Sequence, residues 1–562
     1  MRPVRQLALA VAALAAACGP NQPPPRRNVV LISIDSLVRD RLGVYGHRPE
    51  FAPDIPISPN LDALAAAGVV FEDAHTTTSW TLPSHLAILT GLSDHLHEVT
   101  VDKYRLDPKR RTLAEQFQAA GAVTAGFYSG PYLDPIYGFG RGFDRYESGM
   151  MPPAELERRT AALIERMRAN GQQVTATTAL EIRDRLSHVD VTSPRIERLA
   201  FDFLAGVGDH PFFLFLHYFD AHYDYRPDAL EPGLGRRFDP DYRGDRTGAN
   251  WMFDPAVREI DERGRTVRHI SERDLHHVLA LYDAEIHYVD RSIGRVLQRL
   301  RDLGLWQNTI VCVVSDHGDE FFEHGSIGHR STLFPEQTEM ALILRVPGEL
   351  EEGRRIPQLV RSYDVAPTLL DYAGVAPLPE AEGRSLRPLL GAGPPSEAGR
   401  ESLHRMFGAL PFREAWRDAE FAVHRNLVPD QELSARHPGW LFLRQAWSAD
   451  GRRGLFVFDR REDPDELRPL PEDDPRFARA LERYRAAFAA AEERRRALPR
   501  SPLAERYTAP LSEEARALLG GLGYVDELEE VGDDGDLPFP QIAPLPPPGE
   551  DRSSWRPDDA GG

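Results

Sequence analysis

The segment Asn28-Val-Val-Leu-Ile-Ser-Ile-Asp35 is an apolar run that ends in a carboxylate. Two later segments share this pattern, Pro211-Phe-Phe-Leu-Phe-Leu-His-Tyr-Phe-Asp-Ala-His222 and Thr309-Ile-Val-Cys-Val-Val-Ser-Asp-His317. Continuous apolar runs of this length, separated by helical stretches, indicate parallel strands that are covered on both faces. The sequence therefore predicts an α/β fold in which helices sandwich a large, mostly parallel central sheet.

Acidic and imidazole groups stand at the carboxyl end of each run. In open α/β sheets, ligands bind beyond the carboxyl ends of the strands. Three runs that end in such groups predict a metal or catalytic site at this edge of the sheet. The residues concerned are Asp35, His217, Asp220, His222, Asp316 and His317.

The segment TTTSWTLPSHLAILTG, residues 76–91, has small hydroxyl residues followed by apolar residues at helical spacing. Pro83 suits the first turn of a helix, where its missing N–H has no cost. We expect Thr81 to lie just ahead of the helix N-terminus, where backbone N–H groups and the helix dipole favour an anion. Thr81 is then either an N-cap or a hydroxyl placed to meet a phosphate or sulfate.

Apolar periodicity predicts helices at residues 60–67 and 284–303, and a helix at residues 363–372 that Pro367 breaks. The polar, Pro- and Gly-rich residues 226–277 have few apolar periods, so we expect a long loop or lid there.

The C-terminal third predicts a smaller antiparallel sheet-plus-helix subdomain. Apolar segments at 421–423, 440–443 and 455–458 indicate its strands, and residues 477–498 and 511–524 its helices. The predicted organisation is a signal peptide at 1–18, a tether at 19–27, a catalytic domain at 28–395, the subdomain at 396–526 and a disordered acidic and Pro-rich tail at 527–562.

The N-terminus has the pattern of a targeting segment. The apolar run at residues 7–17 is too short to span a bilayer but suits a signal peptide. Small residues before Cys18 resemble the lipobox of bacterial lipoproteins, although the usual Leu falls one place early, at Leu14. We expect a lipid anchor at Cys18 and a location in the bacterial cell envelope, periplasmic or extracellular. The alternative is plain secretion after cleavage near Ala17.

Charge and cysteine content exclude two classes of protein. The net charge of −20 argues against nucleic acid as a partner, because binding to nucleic acid draws on clustered Lys and Arg. Only two cysteines are present, so a disulfide framework is excluded, and Cys312 is most simply a core residue.

Six motifs, in order from Asn28 to about Leu390, resemble those of the sulfatase family in the alkaline phosphatase superfamily. They are residues 28–37 with 41–46 (NVVLISIDSL and RLGVYG), 58–62 (SPNLD), 81–85 (TLPSH), 315–319 with 323–329 (SDHGD and EHGSIGH), 364–370 (DVAPTLL) and 382–386 (EGRSL).

The resemblance implies an ester hydrolase with a divalent metal cation, and it assigns roles to eight residues. His222 and His329 could instead be solvated loop histidines, and His217 could be structural. The implied metal ligands are Asp35, Asp316, His317 and the hydroxyl of Thr81; the implied catalytic residues are Thr81, His222 and His329; the implied substrate-binding residues are His85 and His217.

This sequence departs from the family pattern at the site itself. Sulfatases have a Cys or Ser at position 81, which is oxidised to formylglycine, and a threonine cannot give that aldehyde. His85 replaces an Arg, Ser36 replaces a second Asp, and the expected Gly-Lys segment appears as Tyr128-Ser129-Gly130, with no Lys. Fewer oxygens and one imidazole favour Mn²⁺, Zn²⁺ or Mg²⁺ over Ca²⁺.

We therefore expect Thr81 to attack a phosphate- or phosphonate-type ester directly, with a sulfate ester as the alternative substrate. Two other hypotheses are a transferase that passes a phospho group to an envelope lipid or glycan, and a binding pseudoenzyme. The expected substrate is a small-molecule, lipid or glycan ester, and the expected membrane contact is through the N-terminal anchor.

Overall fold

The computed structural model describes residues 27–172, 174, 182, 193–249, 251, 254, 256–260, 266–391, 401–406, 413–426, 455–502 and 505–506. The predicted signal peptide, residues 19–26 of the tether, the strand at 440–443, the helix at 511–524 and the tail at 527–562 lie outside these residues.

Sixteen strands are present in the described residues. They are β1 (Asn28–Ile34), β2 (Val69–His75), β3 (Val123–Tyr128), β4 (Arg145–Ser148), β5 (Phe212–Tyr218), β6 (Arg258–Ile260), β7 (Thr266–Arg268), β8 (Thr309–Ser315), β9 (Glu320–Phe321), β10 (Ile327–Gly328), β11 (Leu342–Arg345), β12 (Arg354–Arg361), β13 (Ser402–Met406), β14 (Arg413–Arg417), β15 (Phe421–Asn426) and β16 (Leu455–Asp459).

The α-helices of the same residues surround the main sheet and cover the smaller one. None of them is long and apolar enough to cross a bilayer. They are α1 (Pro59–Ala66), α2 (Thr81–Thr90), α3 (Asp94–His97), α4 (Leu113–Ala119), α5 (Pro153–Ala169), α6 (Ser193–Gly206), α7 (Pro227–Leu230), α8 (Leu234–Phe238), α9 (Glu272–Asp302), α10 (Pro335–Thr338), α11 (Val365–Ala373), α12 (Arg387–Leu390) and α13 (Pro475–Ala497).

The main sheet has eight strands in the order β12-β2-β11-β8-β1-β5-β3-β4. Only β11 runs antiparallel to its neighbours, so the predicted mostly parallel sheet is confirmed. The three apolar runs form the adjacent strands β8, β1 and β5, all fully buried. Because Ile34 is in register with both Ser315 and Tyr218, these strands end at the same level.

Two predicted helices differ in detail from the structure. Helix α2 begins at Thr81 and its N-cap is Trp80, so the expectation that Thr81 precedes the helix was wrong by one residue. Helix α11 runs unbroken through Pro367, so the predicted break was also wrong. Pro367 is the third residue of that helix, where a backbone N–H has no intrahelical partner to lose.

The prediction of a long loop at residues 226–277 was wrong. This stretch contains α7, α8 and the β6–β7 hairpin, and helix α9 begins within it at Glu272. The Ser271 side chain caps α9 by accepting a hydrogen bond from the Asp274 N–H. Because α7 and α8 are only one turn long, they leave too little apolar periodicity to detect.

The smaller sheet is antiparallel, in the order β13-β14-β15-β16, and α13 packs against it through Phe477, Leu481 and Tyr484. Strands β15 and β16 were predicted, whereas β13 and β14 were missed. Strand β14 has the sequence REAWR and is fully buried. Because three of its five residues are charged, a search for apolar segments does not predict it.

A buried ion network connects this sheet to the main domain. The Arg417 guanidinium donates to both oxygens of Glu466 at 2.6 and 2.7 Å and to the carbonyl of Leu333 at 2.7 Å. His424 lies 2.5 Å from the same carboxylate. The three charged or imidazole side chains are fully buried.

We predict that Glu466→Gln lowers the free energy of unfolding by about 3–5 kcal/mol, because it leaves the Arg417 charge buried without a counterion. Chemical denaturation measures this change. The matched control is Glu482→Gln on the exposed face of α13, for which we expect a change within about 0.5 kcal/mol. Equal effects of the two substitutions would contradict the prediction.

Candidate active site

The ends of three adjacent strands bring acidic and imidazole groups together. Asp35 follows β1, and its N–H donates to the carbonyl of Tyr218 on β5 at 2.9 Å. Asp316 and His317 follow β8 directly. His217 lies near the end of β5, and its Nε2 is 3.2 Å from Asp35 Oδ2. The three apolar strands thus place four polar side chains next to one another in a buried position.

Thr81 meets this group from the first turn of α2. Its Oγ1 lies 3.5 Å from Asp35 Oδ1 and 3.4 Å from His317 Nε2. His317 Nε2 is in turn 3.5 Å from Asp35 Oδ1 and 3.4 Å from Asp316 Oδ2. Thr81 Oγ1, Asp35 Oδ1 and His317 Nε2 are therefore 3.4–3.5 Å from one another, and Asp316 Oδ2 lies 3.4 Å from His317 Nε2. Atoms that share one ion tetrahedrally, at about 2.1 Å each, are about 3.4 Å apart.

The chemistry of these side chains fits a divalent cation. Asp35 Oδ2 and Asp316 Oδ2 are buried and accept no hydrogen bond from the described residues. His317 Nδ1 lies 3.1 Å from the Gly318 carbonyl, so Nδ1 carries the hydrogen and Nε2 has a free lone pair. Burial lowers the pKa of His317 to about 3, and burial together with the nearby Asp35 raises the pKa of Asp316 well above its usual range.

Ser36 occupies the position of the family's second Asp and orients the carboxylates. Its N–H donates to Asp316 Oδ1 at 3.1 Å, and its hydroxyl donates to Asp35 Oδ1 at 3.3 Å. Its φ of 52° turns the backbone sharply just after the strand. The carbonyl of Ser36 accepts a hydrogen bond from the Tyr282 hydroxyl at 2.7 Å, which fixes this turn.

His85 and His217 lie behind the carboxylates and are fully buried. His85 Nδ1 donates to the Thr81 carbonyl at 2.9 Å, and its Nε2 accepts from the Ser33 hydroxyl at 2.8 Å. Both ring nitrogens of His85 are therefore in use, and Nδ1 lies 3.5 Å from Asp316 Oδ2. Burial lowers the pKa of both histidines to about 3. Substrate binding by this pair stays a prediction.

His222 and His329 lie beside His317. The His329 ring centroid is 4.5 Å from that of His317 and 5.0 Å from that of His222. His222 Nδ1 donates to the Tyr223 carbonyl at 2.8 Å, and its ring stacks on Phe219. Burial lowers the pKa of both histidines to about 3. The structure thus brings both predicted catalytic histidines to the site.

Asp220, which also follows β5, lies apart from this group. Its carboxylate accepts hydrogen bonds from the N–H and the hydroxyl of Ser193 at the start of α6. Burial raises the pKa of Asp220 to about 7. We infer that Asp220 supports the helix rather than the chemistry.

A second cluster, formed by Asp73, His75 and Glu339, has the residue types of a metal site. Its negative charge, however, is already neutralised by arginines. The Arg460 guanidinium lies 2.6 Å from Asp73 Oδ1, and the Arg39 guanidinium lies 2.6 Å from Glu339 Oε2. His75 Nε2 is 2.7 Å from Asp73 Oδ1. Two arginines supply the positive charge here, which distinguishes this cluster from the one at Thr81.

The sequence missed several residues that support the site. The Ser84 hydroxyl donates to the Asp316 carbonyl at 2.6 Å, and the Asp319 carboxylate accepts from Tyr225 and His329. Asp319 was within a recognised motif, which was the available signal. Tyr225 adjoins the stretch expected to be a loop, and nothing in its surroundings pointed to the site.

The sequence model of the family described as Sulfatase matches residues 27–375, which is more than half of the chain. The chain belongs to the sulfatase family. It is accordingly an enzyme, an ester hydrolase of a family that depends on metal.

Curated relatives of this family member include both sulfatases and a multifunctional enzyme. An arylsulfatase of Clostridium perfringens is 27% identical over 406 residues, which cover 65% of this chain and 78% of that protein. The multifunctional alkaline phosphatase superfamily protein PehA of Trinickia caryophylli is 26% identical over 402 residues, covering 65% and 77%.

Solved structures share the fold. One is a protein in complex with its substrate D-glucosamine-2-N,6-O-disulfate, with a TM-score of 0.59, 18% identity, and coverage of 84% of this chain and 98% of that one. Another is the phosphonate monoester hydrolase of Agrobacterium radiobacter, with a TM-score of 0.57, 22% identity, and coverage of 84% and 96%.

We predict that Asp316→Asn lowers the affinity for the cation by more than about 100-fold, because it removes a direct ligand rather than a supporting contact. Elemental analysis and calorimetric titration of the purified protein with Mn²⁺ and Zn²⁺ measure this. Asp73→Asn in the arginine-neutralised cluster is the matched control and should leave metal content unchanged. Loss of metal from Asp73→Asn alone would contradict the assignment.

Proposed function

We propose that this protein is a metal-dependent hydrolase that cleaves a phosphate- or phosphonate-type ester through Thr81 as the nucleophile. A sulfate ester is the alternative substrate. The observation that carries the proposal is the position of Thr81 Oγ1, 3.4–3.5 Å from two of the candidate ligand atoms at a helix N-terminus. A hydroxyl held there is suited to attack an anionic ester.

The identity of residue 81 favours phosphorus esters over sulfate esters. The family resemblance implies that sulfatases need formylglycine, and Thr81 has a methyl group where that aldehyde would form. The multifunctional relative and the phosphonate monoester hydrolase support a phosphorus ester. The arylsulfatase relative is the reason to keep a sulfate ester as the alternative.

Asp35, Asp316 and His317 would hold the cation together with Thr81, and the cation would lower the pKa of the Thr81 hydroxyl and take up charge on the transferred group. Oγ1 of Thr81 gives its proton to water and forms a bond to phosphorus while the bond to the leaving oxygen breaks. His222 and His329 each take up a proton from water at the ring nitrogen that faces the ester, and they hold the anion and pass a proton to the leaving oxygen. Water then cleaves the threonine ester and restores the hydroxyl.

The donor set favours Mn²⁺, Zn²⁺ or Mg²⁺ over Ca²⁺. Two carboxylates, one imidazole and one hydroxyl offer a nitrogen ligand and few oxygens, whereas Ca²⁺ takes six to eight oxygen ligands. Ser36 uses its N–H and hydroxyl to hold the carboxylates, where a second Asp would have added oxygens. Active protein that contains only Ca²⁺ would contradict this preference.

We also propose that the enzyme acts at the bacterial cell envelope, attached through a lipid on Cys18. The support is the sequence of residues 1–18 alone, with its short apolar run and small residues before the cysteine. Such an anchor would place the enzyme near lipid or glycan esters. Cys18→Ser followed by fractionation tests this, since the variant should leave the membrane fraction.

We predict that Thr81→Ala lowers kcat for the preferred ester by on the order of 10³-fold or more, because it removes the nucleophile while the rest of the site remains. Thr81→Ser keeps a hydroxyl and should retain activity within about 10-fold. Steady-state assays with aryl phosphate monoesters, diesters, phosphonates and sulfates measure both variants with Mg²⁺, Mn²⁺, Zn²⁺ and Ca²⁺.

Three results would change the proposal. Turnover that survives Thr81→Ala would remove Thr81 as the nucleophile. Activity confined to sulfate esters would overturn the preference for phosphorus. Transfer of the group to an added alcohol or glycan in place of water would identify a transferase.

A further inference from the structure

A hydrogen-bond chain of three buried side chains leads to His329. Asp319 Oδ1 lies 2.7 Å from His329 Nδ1, and Asp319 Oδ2 accepts from the Tyr225 hydroxyl at 2.5 Å. Asp319 and Tyr225 are fully buried, and His329 is 7% exposed. No role in the chemistry described so far requires Asp319 or Tyr225.

The chemistry of this chain fixes which nitrogen of His329 carries its proton. Because a carboxylate can only accept a hydrogen bond, the contact with Asp319 places a hydrogen on Nδ1 of His329. Nε2, on the opposite side of the ring from Asp319, is then the nitrogen that can take up a proton and pass it to a leaving oxygen. Since both carboxylate oxygens are engaged, Asp319 cannot rotate without breaking a hydrogen bond.

Tyr225 is itself held in place by aromatic neighbours. Its ring centroid lies 4.8 Å from that of Tyr282, 5.8 Å from that of Phe321 and 5.9 Å from that of Trp251. Tyr282 also donates to the Ser36 carbonyl, so the same aromatic cluster holds the turn after β1. The chain to His329 is therefore anchored in the core rather than in a loop.

The group His317, Asp319 and His329 resembles a metal site in composition, but its hydrogen bonds argue against one. His317 Nδ1 donates to the Gly318 carbonyl, and its Nε2 faces Thr81, Asp35 and Asp316. Asp319 already accepts from two donors. This carboxylate is therefore available to orient a histidine and not to bind a second cation.

We propose that Asp319 and Tyr225 are positioning residues for His329. They hold the ring with its proton on Nδ1, so that Nε2 is the atom presented to the ester at Thr81. The inference rests on the role of His329 under the proposed function. The adjacent His222 is held differently, because its Nδ1 donates to the backbone carbonyl of Tyr223 and its ring stacks on Phe219.

The kinetic test is a double-mutant cycle between Asp319 and His329. Asp319→Ala should lower kcat by about 10²-fold, since a small displacement of a catalytic group has that cost. Tyr225→Phe, which removes one hydroxyl and keeps the ring, should lower it by about 10-fold. In the His329→Ala background, both substitutions should have less than a 2-fold effect, because their target is absent.

A matched control is available in a pair of residues that have no assigned role at the site. Asp239 accepts from His277 Nδ1 at 2.7 Å, the same spacing as in the Asp319–His329 pair, and Asp239 is likewise buried. Asp239→Ala should leave kcat unchanged. An effect of Asp319→Ala that persists undiminished in the His329→Ala background would show a general structural role and overturn the proposal.

A spectroscopic readout tests the same proposal without activity. In protein labelled with ¹⁵N-histidine, His329 should show a proton on Nδ1, in a resonance that His329→Ala removes. Asp319→Ala should shift that resonance or convert it to the Nε2–H tautomer, and Tyr225→Phe should move it less. A wild-type His329 that carries a proton on Nε2 and none on Nδ1 would overturn the proposal.

The two readouts separate the possible failures. If His329→Ala does not lower kcat while Thr81→Ala does, the leaving-group role of His329 under the proposed function fails. If His329→Ala lowers kcat but Asp319→Ala and Tyr225→Phe do not, the positioning role fails and the proposed function stands. Metal content should be the same in all of these variants.

Discussion

Two carboxylates, Asp35 and Asp316, are buried side by side at the ends of adjacent parallel strands, and the site is built around this unfavourable arrangement. Like charges in a medium of low dielectric repel, and each also loses hydration. The N–H groups of Ser36 and His317 compensate in part, since both donate to Asp316 Oδ1. Asp316 Oδ2 has no hydrogen-bond partner among the described residues, and a divalent cation shared with Asp35 would satisfy it and offset the repulsion.

The rigidity of the sheet keeps these groups together. Strands β1, β5 and β8 are buried along their whole length, and their shared register fixes where Asp35, His217 and Asp316 lie. Helix α2 is linked to the same point by the hydroxyl of Ser84, which donates to the Asp316 carbonyl. Thr81 and the carboxylates therefore belong to one packed unit.

Much of this arrangement was predictable from the sequence, because apolar strands that end in Asp or His leave a strong local pattern. Asp35, Asp316 and His317 were found in this way, and Thr81 was placed within one residue of its position. The groups that support them were not. Tyr225 and Ser33 act across 94 and 52 positions of the chain, on Asp319 and His85 respectively, and no local pattern records such a contact.

The C-terminal sheet shows a different limit of prediction from the sequence. Strand β14 buries charged side chains through ion pairs, as Arg417 and Glu466 illustrate, alongside the apolar side chains of Ala415 and Trp416. The hydrophobicity of the sequence predicts that such a segment is exposed. The residues that join the small sheet to the main domain were therefore visible only in three dimensions.

The departures from the family pattern have a common physical result. Replacement of a basic residue by His85, and of an acidic one by Ser36, exchanges charges for neutral hydrogen-bonding groups that hold Thr81 and the carboxylates. Asp35 and Asp316 keep their carboxylates, and under the proposed function the hydroxyl of Thr81 serves as the nucleophile without formylglycine chemistry.

Anomalous diffraction from crystals grown with Mn²⁺ or Zn²⁺ tests the central claim most directly, namely that Thr81 shares one cation with Asp35, Asp316 and His317. A single strong peak about 2.0–2.3 Å from oxygens of both carboxylates, from His317 Nε2 and from Thr81 Oγ1 is the predicted result. A peak at Asp73, His75 and Glu339 instead, or active crystals with no peak beside Thr81, would contradict it.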